Sequence, residues 1–166
     1  MAQPEHEACL LLGSNIRPEH NLPLALDLLR KQLGIRRVSS VWETTAVGSD
    51  GPNFLNVALL VTTPLDSHAL KEQILHPIET RLGRVRTQDK NAPRTMDIDL
   101  ILFDGQLLDA SLWKYAFRAV PVAEIMPDTL SEQGKKLKDV SVQLARTAHI
   151  RLRTGIPVAE IVKQSM

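Results

Sequence analysis

The sequence predicts an α+β fold of the ferredoxin-like, split βαβ class, an antiparallel sheet with helices packed on one face. Segments with strand-like and helix-like hydrophobic patterns alternate along the chain in the order β-α-β-β-α-β. The chain has 166 residues, of which 43% are hydrophobic and 23% charged, which suits one compact domain with a sizeable core. We therefore expect residues 1–166 to form a single domain, made of a central part in residues 8–130 and a mostly helical C-terminal extension in residues 131–166.

The first half of the chain predicts a strand, a helix and a pair of strands. The apolar run Ala8–Leu12 is typical of a short buried strand. Asn21 and Pro23 are typical of a helix start, and leucines follow at spacings of three and four residues: Leu22, Leu26, Leu29 and Leu33. Residues 35–47 and 54–63 predict two longer strands. A loop separates them, so we expect them to pair antiparallel.

A second helix follows, and a proline interrupts it. Asp66 is a typical helix-capping residue, and apolar residues recur after it at helical spacing. Pro77 lies inside this pattern, where a proline costs about 3 kcal/mol. We therefore expect a kink near His76 or two short helices.

The remaining segments predict a strand, a turn and a helical tail. Residues 95–103 alternate in polarity as a strand does, and Asp104-Gly105 is typical of a tight hairpin turn. Residues 120–125 predict a further short strand or turn. Residues 137–162 read as largely helical.

Two aspartates in the strand of residues 95–103 form the most informative chemical pattern. Asp97 and Asp99 are two residues apart, so both point to one face, whereas Met96, Ile98, Leu100 and Leu102 point to the other and are expected in the core. Adjacent carboxylates raise each other's pKa unless a cation lies between them. Mg²⁺ binds through one or two carboxylates plus substrate phosphates. The pair therefore predicts a metal site, although two solvated aspartates on an edge strand would give the same pattern.

Basic residues precede this strand and suit a polyphosphate. Arg84, Arg86, Lys90 and Arg94 lie within fifteen residues of the carboxylate pair. Carboxylates, a metal and arginines together predict a phosphoryl-type transfer.

Composition excludes several other functions. The net charge of +1 gives no general case for binding nucleic acid or an anionic membrane surface. No apolar stretch is long enough to predict a membrane span, and there is no P-loop motif. The five histidines lack metal-binding spacing. A single cysteine, Cys9, allows no internal disulfide, so we expect a reducing, cytoplasmic location.

Several short motifs together resemble one enzyme family. They are Leu12-Gly13-Ser14-Asn15, Val38-Ser39-Ser40-Val41-Trp42-Glu43-Thr44, Phe54-Leu55-Asn56, Ile78-Glu79, Leu82-Gly83-Arg84-Val85-Arg86, Pro93-Arg94-Thr95-Met96-Asp97-Ile98-Asp99 and Pro121-Val122-Ala123-Glu124-Ile125 with Pro127. In order and spacing they resemble the 6-hydroxymethyl-7,8-dihydropterin pyrophosphokinase family of the folate pathway. The resemblance covers roughly residues 8–130, and the family fold is ferredoxin-like.

The resemblance implies a Mg²⁺-dependent transfer of pyrophosphate from ATP to the hydroxymethyl oxygen of the pterin, with release of AMP. It implies that Asp97 and Asp99 hold two Mg²⁺ ions and act in catalysis with Arg84 and Arg94. The implied ATP-binding residues are Glu79, Arg84, Arg86, Arg94, Ile98 and Lys114. The implied pterin-binding residues are Thr44, Thr45, Val47, Phe54, Asn56 and Phe117, with the two phenylalanines stacked on the two faces of the pterin.

The chain departs from the family pattern before Phe117. The segment there is short, and it lacks the histidine and the following arginine that contact ATP in the family. Leu112–Phe117 stands in its place. We expect Lys114 to supply a lost positive charge, and Trp113 or Tyr115 to cover the nucleotide.

Three hypotheses about function remain open at this point. The first is an active pyrophosphokinase that uses ATP and hydroxymethyl dihydropterin, as a monomer or weak homodimer without nucleic-acid or membrane partners. The second is a relative that binds pterin or nucleotide with little or no catalysis. The third is a ferredoxin-like module that binds protein or nucleic acid. Both aspartates favour the first, because binding alone does not need a two-metal clamp.

Overall fold

The computed structural model describes residues 4–46, 51–84 and 95–163, and they form one antiparallel sheet with helices. The strands run in the order β6-β5-β1-β4-β3-β7, and β2 also pairs with β4. They are β1 (His6–Ser14), β2 (Gly34–Val38), β3 (Val41–Thr44), β4 (Phe54–Thr63), β5 (Asp97–Phe103), β6 (Gln106–Leu107) and β7 (Ile150–Arg153). Every strand pair is antiparallel. The predicted α+β class is confirmed.

The helices pack on both faces of the sheet, so the expected one-sided packing is wrong. They are α1 (Pro18–Arg30), α2 (Ser67–Leu70), α3 (His76–Arg81), α4 (Ala116–Ile125), α5 (Leu137–Ala145) and α6 (Val158–Lys163), with a 3-10 turn at Ala110–Trp113. Leu10 and Leu12 of β1 join the core under α1, α3 and α6. Cys9 and Leu11 join a second core under α4 and α5. The physical reason is that the central strands are apolar on both faces, and each face must be covered.

The C-terminal extension contains the helices α5 and α6, as expected, and also a strand that the sequence did not predict. Within residues 131–166, β7 adds to the sheet edge beside β3, with Arg153 opposite Val41 and Ile150 opposite Thr44. Arg151 and Arg153 both donate to the Glu43 carboxylate on β3. The segment Ile-Arg-Leu-Arg alternates with a period of two, which suits a strand and not a helix.

The second helical region consists of two short helices joined by a π-helical turn, which is the second of the two expected alternatives. Asp66 caps α2 by accepting a hydrogen bond from the Ala69 amide, and a π-helical turn, Lys71–Leu75, joins α2 to α3. The His76 amide donates to the Lys71 carbonyl, five residues earlier. Pro77 then occupies the first turn of α3, where its missing N–H is tolerated.

Residues 120–125 form the second half of α4, so the expected strand or turn is wrong. Valines and a proline disfavour a helix locally. Ala119, Val122 and Ala123 are nevertheless buried against the second core, and burial on one helical face outweighs that local preference. The correction matters because α4 covers the sheet face that carries both aspartates.

Candidate active site

Strand β5 places Asp97 and Asp99 side by side on the face that α4 covers. Asp97 pairs with Gly13 of β1 and Asp99 with Leu11, whose side chain lies in the second core. Met96, Ile98 and Leu100 are buried on the opposite face, as predicted. The expected position of Leu102 is wrong, because the pairing shifts by one residue between Cys9 and Leu10 and turns Leu102 to the other side.

Arg84 connects Asp97 to a buried glutamate on α3. Its Nη1 lies 2.8 Å from Asp97 Oδ1 and 2.5 Å from Glu79 Oε2. The same Glu79 oxygen accepts a 2.8 Å hydrogen bond from the Ile98 amide. Glu79 is only 2% exposed, so its charge depends on these donors. Four residues to which the family resemblance assigns ATP or metal binding therefore meet in one cluster.

Arg118 holds the second aspartate, and the sequence reasoning missed it. Its Nη1 lies 2.9 Å from Asp99 Oδ2 and 3.2 Å from Asp109 Oδ2. The expectation of a strand or turn around residue 120 concealed the helix that carries this side chain. A signal was present, because Arg118 is the one basic residue in the otherwise apolar run that follows Phe117.

The electrostatics of the carboxylate pair suit a divalent cation. Burial raises the pKa of Asp99, the Asp97 carboxylate raises it further, and the Arg118 guanidinium opposes both effects. Within the described part of the chain, no three His, Cys, Asp or Glu side chains come together to hold a metal. Two carboxylates are nevertheless enough for Mg²⁺ when substrate phosphates complete its coordination. Arginine nitrogens contact both carboxylates, so the residues present suit a cation there.

The predicted pterin residues Asn56, Thr44 and Phe54 lie together on the same face, near the end of β1. Asn56 Nδ2 donates a 2.9 Å hydrogen bond to Thr44 Oγ1, and both residues are buried. Gly13 is the register partner of Asn56 on one side and of Asp97 on the other. A Cβ on Gly13 would lie 3.1 Å from Asn56 Oδ1 and 3.7 Å from Phe54 Cδ1. Only glycine therefore leaves this surface open.

The predicted residues around α4 are aromatic residues that pack against the second core and a lysine that does not line the cavity over the carboxylates. Phe117 is partly buried against the second core, and its ring stacks on Tyr115 at a centroid distance of 5.5 Å. Trp113 also packs against this core. Lys114 is exposed, and it is not among the described residues that line the cavity over the carboxylates. Arg118 is the cation from this segment that lines that cavity.

An open cavity of about 630 Å³ lies over the carboxylate pair. The described residues that line it include His68, Lys71, Glu72, His76, Glu79, Arg84, Asp97, Ile98, Asp99, Asp109 and Arg118. A volume of this size suits a nucleotide-sized ligand. Thr45 instead borders a separate cavity of about 450 Å³, together with His149, Ile150 and Arg151 of the extension.

Val47, Arg86 and Arg94 lie outside the described residues. Their assigned roles, in pterin binding for Val47 and in ATP binding and catalysis for the arginines, therefore stay predictions.

Two of the motifs in the sequence have structural roles that hold the site together. Ser14 Oγ donates to the Thr95 carbonyl at 2.6 Å, which fixes the entry into β5. Glu124 on α4 accepts hydrogen bonds from Trp42 Nε1 and from the Ser40 amide and hydroxyl, between β2 and β3. The second set ties α4 to the strand that carries Thr44.

Comparison with known proteins identifies the family. Residues 9–127 match the family model for 7,8-dihydro-6-hydroxymethylpterin-pyrophosphokinase. A Synechocystis 2-amino-4-hydroxy-6-hydroxymethyldihydropteridine pyrophosphokinase is 36% identical, over 86% of this chain and 78% of its own length. The Pseudomonas aeruginosa protein of the same name is 32% identical, over 78% of this chain and 86% of its own length.

A solved structure supports the fold alone. A crystal structure of Plasmodium falciparum HPPK-DHPS aligns with a TM-score of 0.66 at 12% identity, over 85% of this chain. The chain spans a little under half of that longer protein, 46% of its length. In the described part of this chain, no helix combines the length and the apolar character that a membrane crossing requires.

The resemblance inferred from the motifs is confirmed. The chain belongs to the 7,8-dihydro-6-hydroxymethylpterin-pyrophosphokinase family, whose members transfer a pyrophosphoryl group from ATP to hydroxymethyl dihydropterin in folate synthesis.

Proposed function

We propose that this chain catalyses the family reaction with two Mg²⁺ ions held by Asp97 and Asp99. The observation that supports this proposal is the cross-strand row Asn56, Gly13 and Asp97, in which a buried amide and a carboxylate flank a glycine. Neighbouring strands lie about 4.8 Å apart, so the two side chains start about 10 Å apart on one face. This separation suits a pterin at one end and a phosphate chain at the other.

The proposed reaction is an in-line displacement at the β-phosphorus of ATP. The pterin hydroxymethyl oxygen forms a bond to this phosphorus and gives up its proton to water. The bond from phosphorus to the oxygen that bridges the α and β positions breaks, and AMP leaves. Bound Mg²⁺ would neutralise the charge that develops on the phosphate oxygens.

The residues of the chain bind and orient the two substrates. Arg84 is held in place by Glu79 and presents its guanidinium beside Asp97, where it would contact phosphate oxygens. Asn56 would hydrogen-bond the pterin edge, because its Nδ2 already engages Thr44 and its Oδ1 faces the open surface over Gly13. Phe54 and Phe117 would cover the pterin faces. Such positioning accounts for much of the acceleration in phosphoryl transfer.

The test is AMP formation from ATP, Mg²⁺ and 6-hydroxymethyl-7,8-dihydropterin. Asp97→Asn and Asp99→Asn keep the side-chain shape and remove the charge, so each should abolish turnover while the protein still folds. Asp27→Asn is the matched control, because Asp27 also pairs with basic side chains but lies on α1. AMP release near the wild-type rate in either active-site variant would overturn the two-metal proposal. Tight binding of both substrates without any turnover in the wild type would favour the non-catalytic alternative.

We further propose that the enzyme acts as a monomer or weak homodimer in the cytoplasm and binds no nucleic acid. The net charge of +1 and the single, buried cysteine support this proposal. Light scattering after size exclusion should give a mass near the 18.5 kDa of one chain at low concentration. A stable larger species would contradict it.

A further inference from the structure

Arg118 lies between the two parts of the proposed site. Its Nη1 contacts Asp99, and its guanidinium carbon lies 5.1 Å from the centre of the Phe117 ring. Under the proposed function, Phe117 covers the pterin and Asp99 holds metal. A pyrophosphoryl group that passes from nucleotide to pterin must cross the space between them.

The hydrogen bonding of Arg118 leaves donor capacity free. A guanidinium carries five N–H donors. Nη1 alone makes the contacts with Asp99 and Asp109, and the buried Nε has no hydrogen-bond partner among the described residues. An unsatisfied buried donor is costly, so a turn of the side chain that lets a ligand accept from this donor gains binding energy. Phosphate oxygens match the planar fork of arginine.

The contact with Asp99 also allows Arg118 to compete with a metal for this carboxylate. The Arg118 guanidinium is itself a cation in contact with the Asp99 carboxylate. A metal that binds Asp99 must weaken this ion pair, and an Arg118 side chain released from Asp99 can turn its donors to phosphate.

We propose that Arg118 binds the phosphate chain of the nucleotide and, before substrate arrives, competes with the metal for Asp99. This inference rests on the proposed function and adds a substrate-binding residue to it. It gives Arg118 the phosphate contact that the sequence assigned to Lys114, which is exposed away from the cavity.

The proposal predicts two changes of opposite sign in Arg118→Met. Mn²⁺ binding to the protein alone, followed by electron paramagnetic resonance, should become about threefold tighter or more, because a competing cation is gone. Binding of α,β-methylene-ATP with Mg²⁺, followed by calorimetry, should weaken about 10- to 100-fold, as for a lost charged hydrogen bond. Arg30→Met removes a comparable arginine–aspartate pair on α1 and should change neither value.

Arg118→Lys keeps the positive charge but loses the planar, forked guanidinium. This variant keeps the test informative if the methionine variant does not fold. Its Mn²⁺ affinity should stay near the wild-type value, and its analogue affinity should fall about fivefold. Parallel weakening of Mn²⁺ and analogue binding in Arg118→Met would overturn the proposal, because Arg118 would then only shape Asp99. Unchanged analogue binding would also overturn it, without affecting the proposed function. A wild-type protein that binds no analogue would overturn the proposed function and this inference together.

Discussion

Asn56 and Asp97 are the two register partners of Gly13, one on β4 and the other on β5. The amide that we propose for pterin binding and the carboxylate that we propose for metal binding are therefore held two strand spacings apart by backbone pairing at the centre of the sheet. The rigidity of this row matters, because transfer between two substrates requires their reacting atoms to be about 3–3.5 Å apart.

Gly13→Ala should impair pterin binding specifically. The added Cβ would lie 3.1 Å from Asn56 Oδ1, so the amide or the strand must shift by a few tenths of an ångström. We expect the pterin Kd to rise about tenfold, as when one buried hydrogen bond is misplaced. Calorimetry with pterin and with α,β-methylene-ATP checks this, and equal losses for both ligands would show that the effect is not local.

Asn56→Ala should weaken pterin binding by about 1–3 kcal/mol, because a buried hydrogen-bonding group is lost. Thr44→Val tests the support of that amide, since Thr44 Oγ1 accepts from Asn56 Nδ2. The valine variant leaves one Asn56 N–H without this acceptor, and we expect a smaller loss of the same kind. Titration with pterin gives both values. The prediction fails if Thr44→Val costs more pterin affinity than Asn56→Ala.

The central part of this arrangement is predictable from sequence because it depends on local periodicity. A period of two places Asp97 and Asp99 on one face, and the strand predicted at residues 54–63 forms with those bounds as β4. Arg118 is not predictable in this way, because its contact with Asp99 depends on packing that turns residues 120–125 into helix. The same applies to β7, whose partner Glu43 lies more than a hundred residues earlier in the chain.

Two substitutions of Glu79 should separate its effect on nucleotide binding from its effect on the free energy of unfolding. Glu79→Gln keeps an oxygen for the Ile98 amide but removes the charge that holds Arg84. We expect weaker binding of the ATP analogue with little loss of fold. Glu79→Ala leaves the Ile98 amide and Arg84 without this partner and should lower the free energy of unfolding by about 3–5 kcal/mol. Urea denaturation measures this loss, and equal stability of the two variants would contradict the assignment.

Glu43 should make stability depend on pH on the acid side. Burial alone would raise the pKa of Glu43, but hydrogen bonds from Arg153, Asn53 and Arg151 lower it below its usual range. A carboxyl whose pKa is lower in the folded state contributes stability above its unfolded pKa of about 4.3. That contribution is lost as pH falls through the folded pKa.

Glu43→Gln should therefore melt below the wild type at pH 7, and the difference should disappear at the acid end. Melting temperatures of both proteins between pH 7 and pH 3 test this expectation. Arg153→Met should show a smaller difference with the same pH dependence, since Asn53 and Arg151 still contact Glu43. A constant difference across the whole pH range would mean that packing, and not charge, links β7 to β3.

Glu124 should affect pterin binding because it fixes the position of α4 relative to β3. Its carboxylate accepts from Trp42 Nε1 and from Ser40, so it joins the helix that carries Phe117 to the strand that carries Thr44. Glu124→Gln keeps acceptor capacity on one oxygen only and places an N–H donor where the other oxygen accepts. The two walls proposed for the pterin would then separate, and we expect weaker pterin binding together with a change in Trp42 fluorescence. Glu132→Gln, an exposed substitution outside this contact, is the control and should change neither. If Glu124→Gln lowers the melting temperature but leaves pterin affinity intact, the link between Glu124 and the pterin walls is wrong, and Glu124 serves the fold alone.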